Sequence, residues 1–550
     1  MTQSQSSLFF AQQPAELATQ LLIGSVGRDH LARAAGQALM QLPGLDGQNR
    51  AEMGRLAGDL LLSAWTDSPL DGEMVQVLTQ SRLPREAVLP NEVLDVLAAF
   101  RQFWQPPNAA HPFQNVLGPA NAEARAQVVQ EAGVREPRNL FWKSEAWRLG
   151  VVFGLWEPAR ACLLPAEWPR TLAPVRLLAQ AQCHLALGDP EAALASLESL
   201  ERVFPGSPEL VLRGECLVRL GRRDEAVAAW VDCLRAAPWR TNVLLRLHDV
   251  ATGRCDHVQL PAESVALLLY SYNKAADLSD TLASLAASDT GNAPVWVLDN
   301  GSTDATPQVL HEWGQRLGDR LQVVTLPVNI GAPAARNWLL SLPEVRQHGF
   351  VAFIDDDVRL PADWLGKLGA AAASAPKASV WGCRVLDDSS PLVAQSVDIT
   401  PLAPEEGGRM LALPQLQAAL PDLGQFSYLR PCVSVTGCCH LLRTADLERT
   451  GGFDIRFSPS QCDDIERDLR LCLGGGHVVY QGNLAIGHKR RSGQAAERST
   501  AEVGNATANT HKLETKHTLS DFQNIHESGI RLLRGDLAEK QRWAVETFTG

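Results

Sequence analysis

An α/β domain built on a mostly parallel sheet, preceded by an all-α domain of repeated helices, is the architecture this sequence predicts, on three observations. The chain has 550 residues, 45% of them hydrophobic, which is too long for one core and apolar enough to fill two or three. Up to about residue 255 apolar residues recur every three or four positions with few β-branched runs, the period of amphipathic helices. After Pro261 short apolar runs alternate with helical stretches of about 10 to 15 residues, as in βαβ units.

Composition narrows the function classes. The formal charge of −12 argues against a broad nucleic-acid footprint, and the one compact basic run is Lys489, Arg490 and Arg491. No apolar run approaches the roughly 20 residues that span a bilayer. The start, MTQSQSSLFFAQQ, lacks the charged and apolar blocks of a secretory signal, so a cytoplasmic protein without a transmembrane segment is expected. Eleven cysteines occur without a C-x-x-C pair, which fits reduced thiols acting as small apolar residues; Cys438 and Cys439, adjacent in VSVTGCCHLL, read as buried strand residues.

Residues 1–108 are expected to form a helical region, closed by a loop-rich stretch carrying Pro107, Pro112, Pro119 and Pro137. Residues 109–255 contain a repeat. Gly188, Ala193 and Pro205 are matched 33 residues later by Gly221, Ala226 and Pro238, and Gly214 and Trp230 stand where a small residue and an aromatic would meet between paired helices. The pattern resembles tetratricopeptide repeats, with Phe141 to Leu164 as a degenerate third unit; a generic helical bundle is the plainer alternative. Such stacked helices form grooves for extended peptides, so this half is expected to dock a protein partner or acceptor polypeptide.

Residues 261–495 are expected to form the α/β domain. Its strands are read as VALLLY (Val265 to Tyr270), VWVLD (Val295 to Asp299), LQVVTL (Leu321 to Leu326) and FVAFID (Phe350 to Asp355). Ligands of such sheets bind at the carboxyl edge, and each strand end here is polar. The first ends in Ser271, Tyr272 and Asn273; the second in Asp299, Asn300, Gly301, Ser302, Thr303 and Asp304. The third leads into Asn329, Ile330, Gly331 and, one turn into a helix, Arg336 and Asn337; the fourth ends in Asp355, Asp356 and Asp357. Three carboxylates at one strand tip repel one another unless a cation sits between them, and Mg²⁺ or Mn²⁺ bridging to a diphosphate is a natural occupant. A solvated acidic turn is the alternative.

The four motifs, in this order, resemble family 2 glycosyltransferases with the GT-A fold: a first strand ending in YN, a D-N-G-S-T-D turn, an N-x-G-x-x-x-A-R-N helix start and a D-x-D pair. The resemblance covers about residues 262 to 490 and implies an inverting, metal-dependent transfer of a hexosyl or related group from a nucleotide-diphosphate sugar to a protein or glycan acceptor. It also implies that Tyr272, Asn273, Asn300, Gly331 and Asp356 face the donor and that Asp299 contacts the nucleotide; the plainer role for Asp299 is capping the helix that begins after Ser302 and Thr303. Arg336 is expected to meet the diphosphate or to pair with a strand-end Asp. Asp355 and Asp357 take the outer D-x-D positions as metal ligands.

Further along, VTGCCHLLRTADLERTGGFDIRF resembles the family's strand, helix and G-G-F-D turn, and QCDDIERDLRL sits where the family opens a helix with E-D. Asp463 replaces the Glu, and Asp464 occupies the position of the catalytic base; both could instead cap the helix. His488 matches a terminal His that is a metal ligand in some members and a structural residue elsewhere. Arg490, between Lys489 and Arg491, is placed to neutralise a diphosphate leaving group. Residues 496–550 are expected to form a helical tail, while the insert 387–430 offers no readable pattern.

Two rivals differ in class. A sugar-nucleotide pyrophosphorylase would open with a Gly-rich loop where this chain has YSYNKAADL, and a repeat scaffold with an inactive transferase domain would have no reason to keep Asp355, Asp357 and Asp464 together.

Overall fold

The computed structural model describes residues 5–80, 87, 89–164, 167–200, 203–204, 206–405, 407–418, 420–490 and 499–548. Pro205 and Arg491 lie outside them. The chain forms two compact units: Met1–Thr252 with Gln415–Gln425 and Leu537–Gly550, and Gly253–Pro414 with Phe426–Asp536.

The first unit is helical. Its later helices come as hairpins, Leu140–Phe153 with Trp156–Leu163, Ala173–Ala186 with Pro190–Glu198, and Pro208–Arg219 with Arg223–Ala236, followed by Thr241–Ala251. The small-residue expectation is met at Gly214, where a Cβ would come within 2.1 Å of the indole Nε1 of Trp230. Trp230, 1% exposed, fills the notch that glycine leaves. Gly150 and Trp156 repeat the device in the first hairpin, at 2.5 Å.

The insert contributes to this unit. Leu416, Leu420 and Leu423 are buried, each burial contributing about 1.5–3 kcal/mol. Arg219 Nη2 donates to the Leu423 carbonyl at 3.0 Å and Asn242 Nδ2 to that of Gln425 at 3.2 Å. Both donors stand on helices of this unit, Pro208–Arg219 and Thr241–Ala251, so these helices hold a segment of the chain's own insert.

At the start of the unit His30 is buried at the turn between the helices Ala15–Ile23 and Arg28–Gln41. Its Nε2 lies 2.9 and 3.0 Å from the carbonyls of Gln20 and Gly24, and the Gln20 amide donates to Nδ1 at 2.9 Å, so one neutral tautomer satisfies every contact. Burial pushes its pKa down to about 4. A depressed imidazole pKa means that the unfolded chain takes up the proton first, so stability is lost as pH falls from 6.5 towards 4. The stability advantage of wild type over His30→Gln is expected to shrink by about 3 kcal/mol across that window. Urea melts of both proteins between pH 7 and 4 check this, and a constant difference would contradict it.

The second unit is an α/β fold on a ten-stranded sheet. In chain order the strands are β1 Val265–Ser271, β2 Val295–Asp299, β3 Leu321–Thr325, β4 Phe350–Ile354, β5 Val358–Arg359, β6 Val380–Asp387, β7 Ser390–Ser396, β8 Leu429–Cys432, β9 Cys439–Arg443 and β10 Val478–His488. The main path runs β3-β2-β1-β4-β9-β6-β10-β5, with β7 on β6 and β8 on β10. β1 pairs in parallel with β2 and β4, and β2 with β3, while β9 lies antiparallel between β4 and β6. The four strands read from the sequence are β1 to β4. β2 and β4 are buried along their whole length, as strands covered on both faces must be, whereas edge strand β3 exposes Gln322 and Val323.

Topology brings the site together. Parallel pairing in register, Ser271 with Asp299, puts the carboxyl ends of β1 and β2 side by side, with β4 flanking β1. β10 delivers its last residue, His488, opposite Val358 of β5, one residue past the Asp triplet. After β10 come the helices Thr500–Lys516 and Leu519–Phe548. Leu513, Phe522 and Ile525 pack with Phe457, Ile465 and Leu469 in one core, against the helix Asp463–Leu473.

Candidate active site

A cleft with about 1090 Å³ of open space lies at the carboxyl edge of the sheet, lined by Tyr272, Lys274, Asn300, Gly331, Arg336, Asp355, Asp356, Asp357, Asp463, Asp464, His488 and Arg490 among others. Most of the residues expected in the site therefore meet in one place. Asn273 and Asp299 do not line it.

Their side chains build the turns behind it. Asn273, at φ 53°, accepts the Thr303 N–H on its Oδ1 at 2.7 Å, while its own N–H donates to Ser302 Oγ at 3.0 Å, tying the end of β1 to the turn after β2. Asp299, 1% exposed, accepts the Ser302 N–H at 2.9 Å. It thus braces the turn after β2 rather than capping the helix, which begins further on at Thr306. Asn300 bridges to the next connection, donating to Asn329 Oδ1 and accepting the Ile330 N–H, each at 3.0 Å. Gly331 adopts φ 82°, and a Cβ there would lie 2.8 Å from Ser458 Oγ, so both backbone and space require glycine.

Arg336 takes the pairing role. Its guanidinium is buried, contacts Asp463 through Nη1 and Asp355 Oδ1 at 3.1 Å through Nη2, and stacks over Tyr270 and Phe453 at 5.2 and 5.1 Å. Burial works against its charge, but Tyr270 and these carboxylates hold its pKa well above the usual value. Asp463, expected beside Asp464 as a catalytic carboxylate, is thus the 3% exposed partner of an arginine, committed to an ion pair whose rupture would leave buried charge uncompensated. Burial pushes its pKa up, against the pull of Arg336.

The triplet divides its tasks. Asp356 accepts Ser271 Oγ at 2.6 Å and Lys274 Nζ at 3.2 Å, with burial raising its pKa to about 6. Asp357 receives Lys274 Nζ at 2.7 Å on one oxygen and stands 3.2 Å from His488 Nε2 on the other. Burial opposes the Asp357 charge, but His488 and Lys274 overcome it and hold the carboxyl well below its usual range. Burial likewise lowers the His488 pKa, and Asp357 reverses this so that the net shift is upward. The other ring nitrogen, Nδ1, meets Gln395 Oε1 at 2.7 Å, which fixes the ring and aims Nε2 at the triplet.

Asp355, Asp357 and His488 can each offer one atom within 4.8 Å of the others. Two carboxylate oxygens and an imidazole suit a small divalent cation; the carboxylates accept Mg²⁺ or Mn²⁺, and the imidazole leans towards Mn²⁺. The donor set therefore fits the metal the sequence leads one to expect.

Asp464 sits at the N-terminal turn of the Asp463–Leu473 helix, its Oδ2 accepting the Gly437 N–H at 2.8 Å. The carboxylate is partly buried, oriented by backbone and on the cleft wall. Arg490 reaches the rim and pairs with Glu502 at 2.8 Å, an exposed contact worth about 0–1 kcal/mol and easily exchanged.

Residues 267–450 match the family model described as Glycosyl transferase family 2. This part of the chain is a glycosyl transferase family 2 domain. Its curated relatives include a validoxylamine A glucosyltransferase of Streptomyces hygroscopicus subsp. jinggangensis, 30% identical over 239 residues, which cover 40% of this chain and 54% of that protein. Another is the O-antigen biosynthesis protein RfbC of Myxococcus xanthus, 26% identical over 202 residues, covering 36% and 15%. The chain spans about half or less of the length of the curated relatives it matches. Among solved structures it is similar to mannosyltransferase PcManGT from Pyrobaculum calidifontis in complex with GDP-Man and Mn²⁺, at 17% identity and a TM-score of 0.36, covering 59% of this chain and 87% of that one.

Two residues of the transferase domain escaped the sequence reading. Lys274 follows the YN motif directly, and a signal for it existed: three adjacent acids call for a counter-cation, and the turn after β1 borders β4. Gln395 lies in the insert, where no pattern marks it.

Proposed function

We propose that the transferase domain moves a sugar from a nucleotide-diphosphate donor to a hydroxyl of a protein or glycan acceptor, with inversion. The observation that carries this is one cleft holding a metal-competent Asp355, Asp357 and His488 set together with the separately held carboxylate of Asp464. In the reaction the acceptor oxygen forms its bond to the anomeric carbon as the bond from that carbon to the diphosphate breaks. Asp464 takes the acceptor proton, so no covalent enzyme intermediate is required.

Asp355, Asp357 and His488 would hold Mg²⁺ or Mn²⁺, which when bound supplies positive charge to the departing diphosphate. Lys274 keeps Asp356 and Asp357 in place, Gln395 orients His488, and Arg490 can leave Glu502 for a phosphate. The Arg336 pair with Asp463 and Asp355 fixes the donor side relative to the helix that carries Asp464. The helical unit would dock the acceptor or the protein that presents it.

A thermal-shift screen of nucleotide sugars with and without Mn²⁺ tests the reading. At a hundredfold excess over its dissociation constant the right donor should stabilise the protein by about 2.7 kcal/mol, and only when Mn²⁺ is present. If every nucleotide sugar left the melting temperature unchanged with Mn²⁺ added, the proposal would fall.

A further inference from the structure

The helix Thr500–Lys516 carries Asn505, Asn509, Lys512 and Lys516 at intervals of four, three and four residues, a single stripe along one face. The stripe lies along the loop that leads into Asp463 and Asp464. Asn505 Nδ2 donates to the Ser460 carbonyl at 2.9 Å, and Lys512 Nζ to that of Arg456 at 2.8 Å. Between them Asn509, fully buried, points its amide at three carbonyls: Phe457 and Ser460 at 2.9 Å and Gln461 at 3.0 Å. Its Oδ1 accepts Lys512 Nζ at 2.9 Å, so both ends of the side chain are engaged.

That loop has unusual backbone. Gln461 and Cys462 adopt φ 80° and 67°, two consecutive non-glycine residues in the left-handed region immediately before Asp463. Such a turn persists only where its surroundings hold it. One side of the loop faces the cleft, where Pro459, Ser460 and Gln461 line the wall and the Pro459 carbonyl accepts the Ala332 N–H at 2.8 Å. Asn509 holds the other side.

We propose that Asn509 is a positioning residue of the transferase site: by binding the Phe457, Ser460 and Gln461 carbonyls it fixes the left-handed turn that aims Asp464 into the cleft. The inference rests on Asp464 being the base. It gives the helical tail a task in transfer itself, although the tail touches neither the Asp triplet nor Asp464 through this contact.

Asn509→Leu in the full chain keeps the volume and removes the donors. Turnover is expected to fall about 10- to 100-fold, the cost of a displaced catalytic group, with donor KM within about threefold of wild type. Amide exchange over residues 457–462 should rise at least about tenfold while β1 to β4 stay protected, and Asn509→Gln should recover part of the turnover. A folded Asn509→Leu protein with unchanged turnover, or with unchanged exchange in the loop, overturns the proposal. Should that variant fail to fold, the double variant Asn505→Ala with Lys512→Ala strips the flanking donors and is judged on the same two readings. Asp464→Asn separates the two ideas: full turnover there removes the base reading, whereas the loop exchange of Asn509→Leu reports on the clamp by itself.

Discussion

Asp464→Asn is expected to lower turnover roughly 10²- to 10⁴-fold while donor affinity barely changes. The substitution preserves size and leaves an amide oxygen to accept the Gly437 N–H, so the local fold should survive. What it removes is proton-accepting capacity. Asp463 is a poor substitute, because it is held by Arg336 and any proton it took would weaken that pair. Steady-state kinetics beside donor binding by calorimetry decide the matter. Collapse of donor affinity with turnover per bound donor intact would make Asp464 a binding residue and place the base elsewhere.

Asp357→Ala is expected to cost about a thousandfold in rate, several kcal/mol of leaving-group stabilisation. Asp357 is the member of the triplet with the most at stake, since Lys274 and His488 converge on its two oxygens. Without it His488 loses its ion pair but retains its contact with Gln395, and Lys274 retains Asp356. Affinity for Mn²⁺, measured from the electron paramagnetic signal of the free ion, should fall with the rate. A melt of the metal-free protein controls for damage to the fold. Undiminished turnover by Asp357→Ala in the presence of a chelator would defeat the metal mechanism.

The sheet was legible because strands covered on both faces must be apolar throughout and their tips must be polar, so VWVLD and FVAFID announced β2 and β4 almost to the residue. Gly214 and Trp230 were legible for a related reason, a missing side chain paired with a large one at repeat spacing. Partnership at long range was not. The choice of Arg336 between a phosphate and a strand-end carboxylate depended on Asp463, 127 residues away along the chain, and nothing in the local pattern ranks those options. Asn273 and Asp299 carry motif identities that suit a ligand, yet the turns take up the contacts seen at their side chains. Gln395 and Asn509 were invisible because an amide earns its role from geometry alone. The insert looked patternless in sequence although Leu416, Leu420 and Leu423 are buried, because nothing local says which surface receives them.

That insert bears on how the molecule is made. Most of the helical unit is made before the sheet, yet two of its pieces, Gln415–Gln425 and Leu537–Gly550, are encoded after most of the sheet. At about 5–20 residues per second, roughly 10 to 35 s separate the emergence of Thr252 from that of Gln425. Throughout that interval the seats of Leu416, Leu420 and Leu423 stand open on a nascent chain. The helical unit therefore cannot be completed until much of the sheet has already emerged.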